Sequence, residues 1–253
     1  MVNEDIEALS NSAAFKVDLC NNHFGRYFMR AIIAGFFIVV AVILSNVTAA
    51  VIYPASPQAA KVIGALVFPI AIILVVLFGG ELFTGNNMTM AIGAYNKRCS
   101  VKDVIKIWVI SYLGNIVGTV VLSSIFVWSG ASKQILTDYF NAFIDAKLAI
   151  DPPQMFLRAV MCNFFVCLAV YSGTRLKTEC GKIIVEIFVI MAFVIAGFEH
   201  CVANMSIFTI AAWLKGGLDV LAVLKSILIV TLGNIIGGAV LLALPLKLAS
   251  AEK

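Results

Sequence analysis

The chain has 253 residues, of which 62% are hydrophobic and only 13% charged, with a formal net charge of +4. Soluble domains carry roughly half apolar and a quarter charged residues, so this composition excludes an ordinary soluble domain and fits a polytopic membrane protein. The small positive balance implies no nucleic-acid partner, because Lys and Arg in such chains mostly report topology.

The six cysteines (Cys20, Cys99, Cys162, Cys167, Cys180 and Cys201) include no CxxC pair, so neither a zinc site nor a disulfide framework is indicated. The first 25 residues carry Glu4, Asp5, Glu7, Lys16 and Asp18 and no apolar core, which argues against a cleavable signal peptide. Ile6, Leu9, Ala13, Val17 and Cys20 recur three or four apart between those charges. That spacing predicts an amphipathic helix over residues 1–25 lying at the membrane interface, as an anchor or as a gate.

Apolar stretches then run from about Phe28 to Ile52, Val62 to Phe78, Val104 to Trp128, Phe156 to Tyr171, Ile183 to Phe198 and Leu218 to Leu244. A crossing takes about 20 residues, so the second and fifth are short. Each is completed by a half-helix beyond a break, Asn87 to Tyr95 and Met205 to Leu214. The expectation is an all-α membrane protein of six spans, the second and fifth broken.

With the N-terminus inside, twelve Lys and Arg fall on inner segments (Lys16, Arg26, Arg30, Lys97, Arg98, Lys102, Lys106, Arg175, Lys177, Lys182, Lys247 and Lys253). Six fall outside (Lys61, Lys133, Lys147, Arg158, Lys215 and Lys225). The bias places both termini in the cytoplasm of a cell-membrane protein.

The halves resemble each other. Residues 28–42 (FMRAIIAGFFIVVAV) align with 156–170 (FLRAVMCNFFVCLAV) at seven identities in fifteen positions. Glu81 falls on Glu199, Asn86 on Asn204, and the segment 113–118 (LGNIVG) on 232–237 (LGNIIG). Three spans per half is an odd number, so the second half is inverted relative to the first. Inverted repeats with paired Gly-interrupted helices point to a substrate site near the bilayer midplane. The boundaries read as residues 26–128 and 156–247 for the repeats, 129–155 for an outer linker and 248–253 for a tail.

Glu199 and His200 sit in the middle of one span, where ionisable groups are costly and by default functional. Unwound backbone at that depth must face protein or a water-lined cavity, so both breaks turn inward. Asn86 and Asn204 are read as N-caps of the second half-helices. The two N-termini then converge, each with about half a positive elementary charge, on a site suited to a small anion. Thr84 and His200 lie at nearly equivalent positions of the opposed breaks and can donate hydrogen bonds there. Glu81 and Glu199 read as scaffold acceptors for loose backbone donors or for a lysine. Leu82, Phe83, Val202, Phe68, Ile72 and Phe193 are candidates for dry constrictions and equally for plain packing. A bare anion crossing such slits pays for desolvation, a cost that falls if it is a weak acid able to take a proton near His200. Gly114 with Gly118 and Gly233 with Gly237 allow close helix approach, and Asn115 and Asn234 are expected to tie down the breaks.

The segments 77–85 (LFGGELFTG), 159–169 (AVMCNFFVCLA) and 197–205 (GFEHCVANM) resemble the signature segments of the formate/nitrite transporter family, over about residues 5 to 248. The resemblance implies an aquaporin-like protomer with its own pore, assembled as a homopentamer and passing small monovalent anions without a cofactor. It also implies Thr84 and His200 as the central pair, Asn163 near the pore, Lys147 as a linker lysine attracting anions or supporting the histidine, and Phe83 and Phe193 as slit aromatics. Taken alone, Lys147 reads as a headgroup lysine and Asn163 as a packing amide. Gly85-Asn86-Asn87 after the threonine looks most like the hydrosulfide branch, with formate and nitrite close behind. An aquaporin-like channel for neutral solutes is the alternative. A metalloenzyme built on Glu199, His200 and Cys201 is disfavoured, because three adjacent residues do not face one metal and no second histidine lies within a span.

Overall fold

The computed structural model describes residues 2–250; Lys253, one of the cations in the topological tally, lies outside them. The elements are α1 (Val2–Asn22), α2 (Phe24–Ile52), α3 (Pro57–Val67), α4 (Ile70–Phe78), α5 (Phe83–Tyr95), α6 (Val101–Trp128), α7 (Lys133–Leu148), α8 (Pro152–Arg175), α9 (Glu179–Ala196), α10 (Cys201–Lys215) and α11 (Val220–Ile235). A π-helical turn, Ile236–Leu242, joins α11 to α12 (Ala243–Leu248).

Start signals in the sequence fix several of these ends. Ser100 and Asp103 form a capping box at α6, while Ser56, Thr178 and Asp219 cap α3, α9 and α11 with their side-chain oxygens. Proline opens α3 and α8, where its missing N–H costs nothing. The second span is therefore longer than its apolar run: Pro57–Phe78 makes 22 residues, because polar Gln58 and Lys61 sit on a turn the cap had already begun. Among the described residues five segments, α3 with α4 counted as one, are long and apolar enough to cross a membrane, and they number six when α9 and α10, bent by 59°, are counted as one broken span.

The half-helices beyond the breaks begin earlier than Asn87 and Met205. They start at Phe83 and Cys201, so Asn86 and Asn204 stand inside the first turn and are not N-caps. His200 caps α10, and Leu82 precedes α5 with no side-chain cap. The expectation failed because asparagine's cap preference was weighed without the glycine stop signals, Gly79 at φ 69° and Gly197 at φ 75°, which end the preceding helices several residues upstream.

Helix α1 is seated on protein instead of being left to lipid. Ile6 and Leu9 pack with Met88 and Ile92 of α5 and with Leu242, and Ala13 fills the space a Cβ at Gly93 would need. Asp5 pairs with Arg175 at 3.4 Å and accepts from the Tyr171 hydroxyl at 2.8 Å. On the opposite side, α7 buries Leu136, Phe140 and Ile144. The loop after α5, α1 and the end of the chain line one polar cavity, so both ends of the described chain lie on one face and α7 on the other.

The four glycines act where α6 crosses α2 and where α11 and its π turn cross α8. A Cβ on Gly118 would collide with the Ile32 carbonyl, one on Gly237 with the Val160 carbonyl, and one on Gly233 would stand 2.6 Å from the Phe156 carbonyl oxygen. Backbone-to-backbone approach of this kind leaves a side chain no room to swing away. Gly118→Leu and Gly237→Leu are each expected to cost about 1–3 kcal/mol or more by overpacking, read as a fall in the thermal midpoint of purified protein in detergent; an unchanged midpoint would contradict the packing described.

Candidate functional site

The two breaks are held by matching sets of bonds. Asn115 Oδ1 accepts from the Phe83 N–H at 2.9 Å, while its amide donates to the Ala31 and Glu81 carbonyls at 2.8 and 3.0 Å. Asn234 does the same at the other break, accepting from the Cys201 N–H at 2.9 Å and donating to the Ala159 and Glu199 carbonyls at 2.8 and 2.9 Å. Each amide thus satisfies two backbone groups at its break, which an apolar interior requires, and ties the break to a carbonyl of α2 or α8. The Glu81 N–H reaches the Arg30 carbonyl and the Glu199 N–H the Arg158 carbonyl, at 3.1 and 3.4 Å.

Both glutamates are paired with lysines. Lys147 on α7 meets Glu199 at 2.7 and 2.9 Å, and Glu199 also accepts from the Asn204 amide at 2.8 Å. Lys16 on α1 meets Glu81 at 2.6 and 2.8 Å, with the Asn86 amide at 3.2 Å. Asn86 and Asn204 therefore brace the carboxylates. Lys16 was not singled out from the sequence; its signal is the repeat itself, since α1 precedes the first three spans as α7 precedes the second three.

Thr84 Oγ1 and His200 Nε2 lie 2.9 Å apart, both buried. The Ala203 backbone N–H donates to His200 Nδ1 at 3.1 Å. A backbone N–H can only donate, so Nδ1 carries no proton and Nε2 does: the ring is a neutral donor toward Thr84. The threonine hydroxyl then has its own hydrogen left for a third group. The Thr84 carbonyl accepts from Asn163 Nδ2 at 3.2 Å and from Cys167 Sγ at 3.4 Å. Asn163 also donates to Asn87 and to the Asn234 carbonyl, at 3.0 and 2.6 Å, so every bond of its amide goes to protein.

On the α7 side a cavity of about 450 Å³ leads down to His200, with Lys147, Glu199, Phe68 and Phe193 among its other walls. Below it, a void of about 10 Å³ lies between Ile38, Ile72, Leu82, Val166, Ile190 and the Phe68, Phe193 and His200 rings. Phe68 stands edge-on to Phe193 at 6.0 Å, and Phe193 stacks on the His200 ring at 6.4 Å. The void has room for about one water, and its other walls are apolar. Of the constriction candidates, Leu82, Phe68, Ile72 and Phe193 line it. Phe83 turns away to meet Tyr112 edge-on at 4.8 Å beside an apolar groove on α6, and Val202 is buried outside the lining. Ile38, Val166 and Ile190 were missed, because inside long apolar helices nothing in the sequence separates a pore-facing aliphatic from a packed one.

Three of these walls are pairs of repeat mates: Ile38 with Val166, Ile72 with Ile190, and Leu82 with His200. The void therefore lies on the pseudo-twofold axis relating the halves, with the convergent N-termini of α5 and α10 beside it. No group of three or more His, Cys, Asp or Glu that could hold a metal occurs among the described residues.

The family model described as formate/nitrite transporter matches residues 3–248. A probable formate transporter of Methanothermobacter thermautotrophicus is 35% identical over 239 residues, 87% of this chain and 86% of that protein. A solved ion channel of the FNT family superposes at a TM-score of 0.91 with 26% identity, over 98% of this chain and 99% of that one. A pentameric formate channel with formate bound superposes at 0.76 with 28% identity, over 94% and 97%. The chain belongs to the formate/nitrite transporter family, a multi-pass membrane channel with that family's fold and not an enzyme.

Proposed function

We propose that each protomer passes a small monovalent anion together with a proton, with hydrosulfide as the preferred substrate and formate and nitrite as close candidates. The observation that carries this reading is His200, which walls both the open cavity and the apolar void and is hydrogen-bonded to the buried Thr84. Lys147 draws the anion into the cavity, but its pairing with Glu199 leaves no net charge to trap it. The Thr84 hydroxyl and the N-termini of α5 and α10 receive the anion where it must shed water. A void this narrow and apolar is costly for an ion and far less so for its neutral acid, so the solute crosses after taking a proton from cavity water. Hydrosulfide is the most readily protonated of the three near neutral pH, and Gly85-Asn86-Asn87 supports the same choice. Asn86, Asn204 and Asn163 serve as braces in this scheme, and Leu82, Phe68, Ile72 and Phe193 as the constriction.

The family's pentameric formate channel and the outward apolar rows of α6 (Ile105, Val109, Leu113) and α11 (Leu224, Leu228, Leu232) support a homopentamer, with the remaining apolar surface in lipid. The Lys and Arg bias supports a cytoplasmic location for the face carrying both termini.

In proteoliposomes, fluxes of hydrosulfide, formate and nitrite are expected to rise as the medium is acidified, hydrosulfide fastest near neutrality, while chloride, whose acid is far too strong to form, is excluded. Fast osmotic water shrinkage without anion flux would instead establish the neutral-solute alternative. Thr84→Val leaves the His200 Nε2–H buried and unpaired, a loss of about 1–3 kcal/mol; flux should fall about tenfold or more, with Thr84→Ser retaining it. His200→Asn keeps an acceptor for the Ala203 N–H and an amide donor, and is expected to retain both flux and its pH dependence. Loss of that dependence in His200→Asn, measured against His200→Leu, would show instead that the ring itself titrates during transport.

A further inference from the structure

We propose that Glu186 is a proton-binding site at the termini-side mouth of the permeation path, and that this mouth opens when the site loses its proton. The inference rests on the proposed channel function for what travels along the path. Glu186 lies on α9, is 0% exposed, and neither carboxylate oxygen has a hydrogen-bond partner among the described residues. Its face of the helix continues through Ile190 and Phe193, both of which line the central void.

The repeat places Glu186 on the path. Glu81 maps onto Glu199, so the same offset pairs Phe68 with Glu186 and Val76 with Val194; the alignment of residues 28–42 with 156–170, carried three residues further, pairs Ser45 with Gly173. Phe68, Val194 and Ser45 all line the open cavity on the α7 side. Their mates Glu186, Val76 and Gly173 meet on the other side, where the chain is packed shut: a Cβ on Gly173 would lie 2.8 Å from Val76 Cγ1 and 3.7 Å from Glu186 Oε1. The inverted fold thus has one mouth open and its mate closed over a carboxyl group.

A neutral carboxyl can occupy that apolar contact. An ionised one without a hydrogen bond or counter-ion costs several kcal/mol, so its ionisation requires water to part α4, α8 and α9. The charged groups around it are few. Lys182 lies one turn away on α9 toward the termini-side surface; α4 offers none; Tyr171 and Arg175 on α8 are engaged with Asp5; and on α3, Lys61 lines the opposite cavity. The proton leaves to water on the side of Lys182, and closure of the mouth and proton binding favour each other by linkage.

The test uses right-side-out membrane vesicles loaded with labelled formate or hydrosulfide, external pH fixed and internal pH stepped from about 5.5 to about 7.5. The ratio of wild-type to Glu186→Gln efflux is expected to rise at least about threefold over that step. Glu186→Asp, which keeps the acid, should track wild type within about 1.5-fold. Glu186→Ala replaces the amide variant if size-exclusion shows that the latter does not assemble. A flat ratio in vesicles whose wild-type protein does pass the anion overturns this inference alone, as does an Asp variant that behaves like the Gln variant. Wild-type protein that passes neither anion overturns the channel reading and this inference with it.

Discussion

Everything in the site depends on two asparagines satisfying backbone that a bilayer interior cannot. A broken helix exposes N–H and C=O groups, each costing several kcal/mol without a partner. Asn115 and Asn234 each take one donor and one acceptor from the chain at a break and a second acceptor from the neighbouring α2 or α8. They reach those groups because Gly114, Gly118, Gly233 and Gly237 bring α6 against α2, and α11 and the π turn against α8, at backbone distance. Small residues, buried amides and broken helices therefore form one device. Changing a glycine withdraws the asparagine, and withdrawing the asparagine leaves the break untenable.

The repeat is larger than three spans. Lys16 of α1 and Lys147 of α7 reach Glu81 and Glu199 by equivalent bonds, so each half is an amphipathic helix followed by three spans. Within that symmetry the differences carry the chemistry. Leu82 corresponds to His200, Thr84 to Val202, and Phe68 to Glu186. One break supplies the hydroxyl and the other the ring; one mouth is walled by an aromatic and the other by an acid. A scaffold that repeats itself can be stiff and symmetric while the path through it is polarised.

Much of this was legible in the sequence, for physical reasons that also explain what was not. Paired glycines, glutamates and asparagines at matching offsets announce interrupted helices, because a lipid-embedded chain has few other uses for them. Thr84 and His200 were picked out that way, and the structure sets them 2.9 Å apart. The roles of Asn86 and Asn204 were misread, since capping preference is local while the partner that claims each side chain, Glu81 or Glu199, is fixed by how the chain unwinds between Gly79 and Leu82 and between Gly197 and His200. Phe83 was misplaced by motif position alone: which way a first-turn aromatic faces depends on the helix beside it, here α6 with Tyr112. Ile38, Val166 and Ile190 carried no signal at all, being aliphatic residues in aliphatic helices. Glu186, a charge within an apolar run, was passed over, and only the inverted geometry shows that it is the mate of a residue lining the open cavity.

The neutral His200 ring, the paired Lys147 and the dry void make a single argument about selection. A fixed positive charge at the site would hold an anion tightly and pass it slowly, because conduction requires that binding be strong enough to enter and weak enough to leave. Here the cation is balanced by Glu199 2.7 Å away, and the ring gives its proton to a hydrogen bond with Thr84. What remains to attract an anion is the partial charge of two helix ends, which orients without trapping. In the proposed mechanism the apolar void discriminates by how readily each anion is protonated, a property of the solute alone. On that reading the chemistry is set by the solute's own basicity at an apolar void of about 10 Å³, so one architecture could serve several small weak acids with few changes near the breaks.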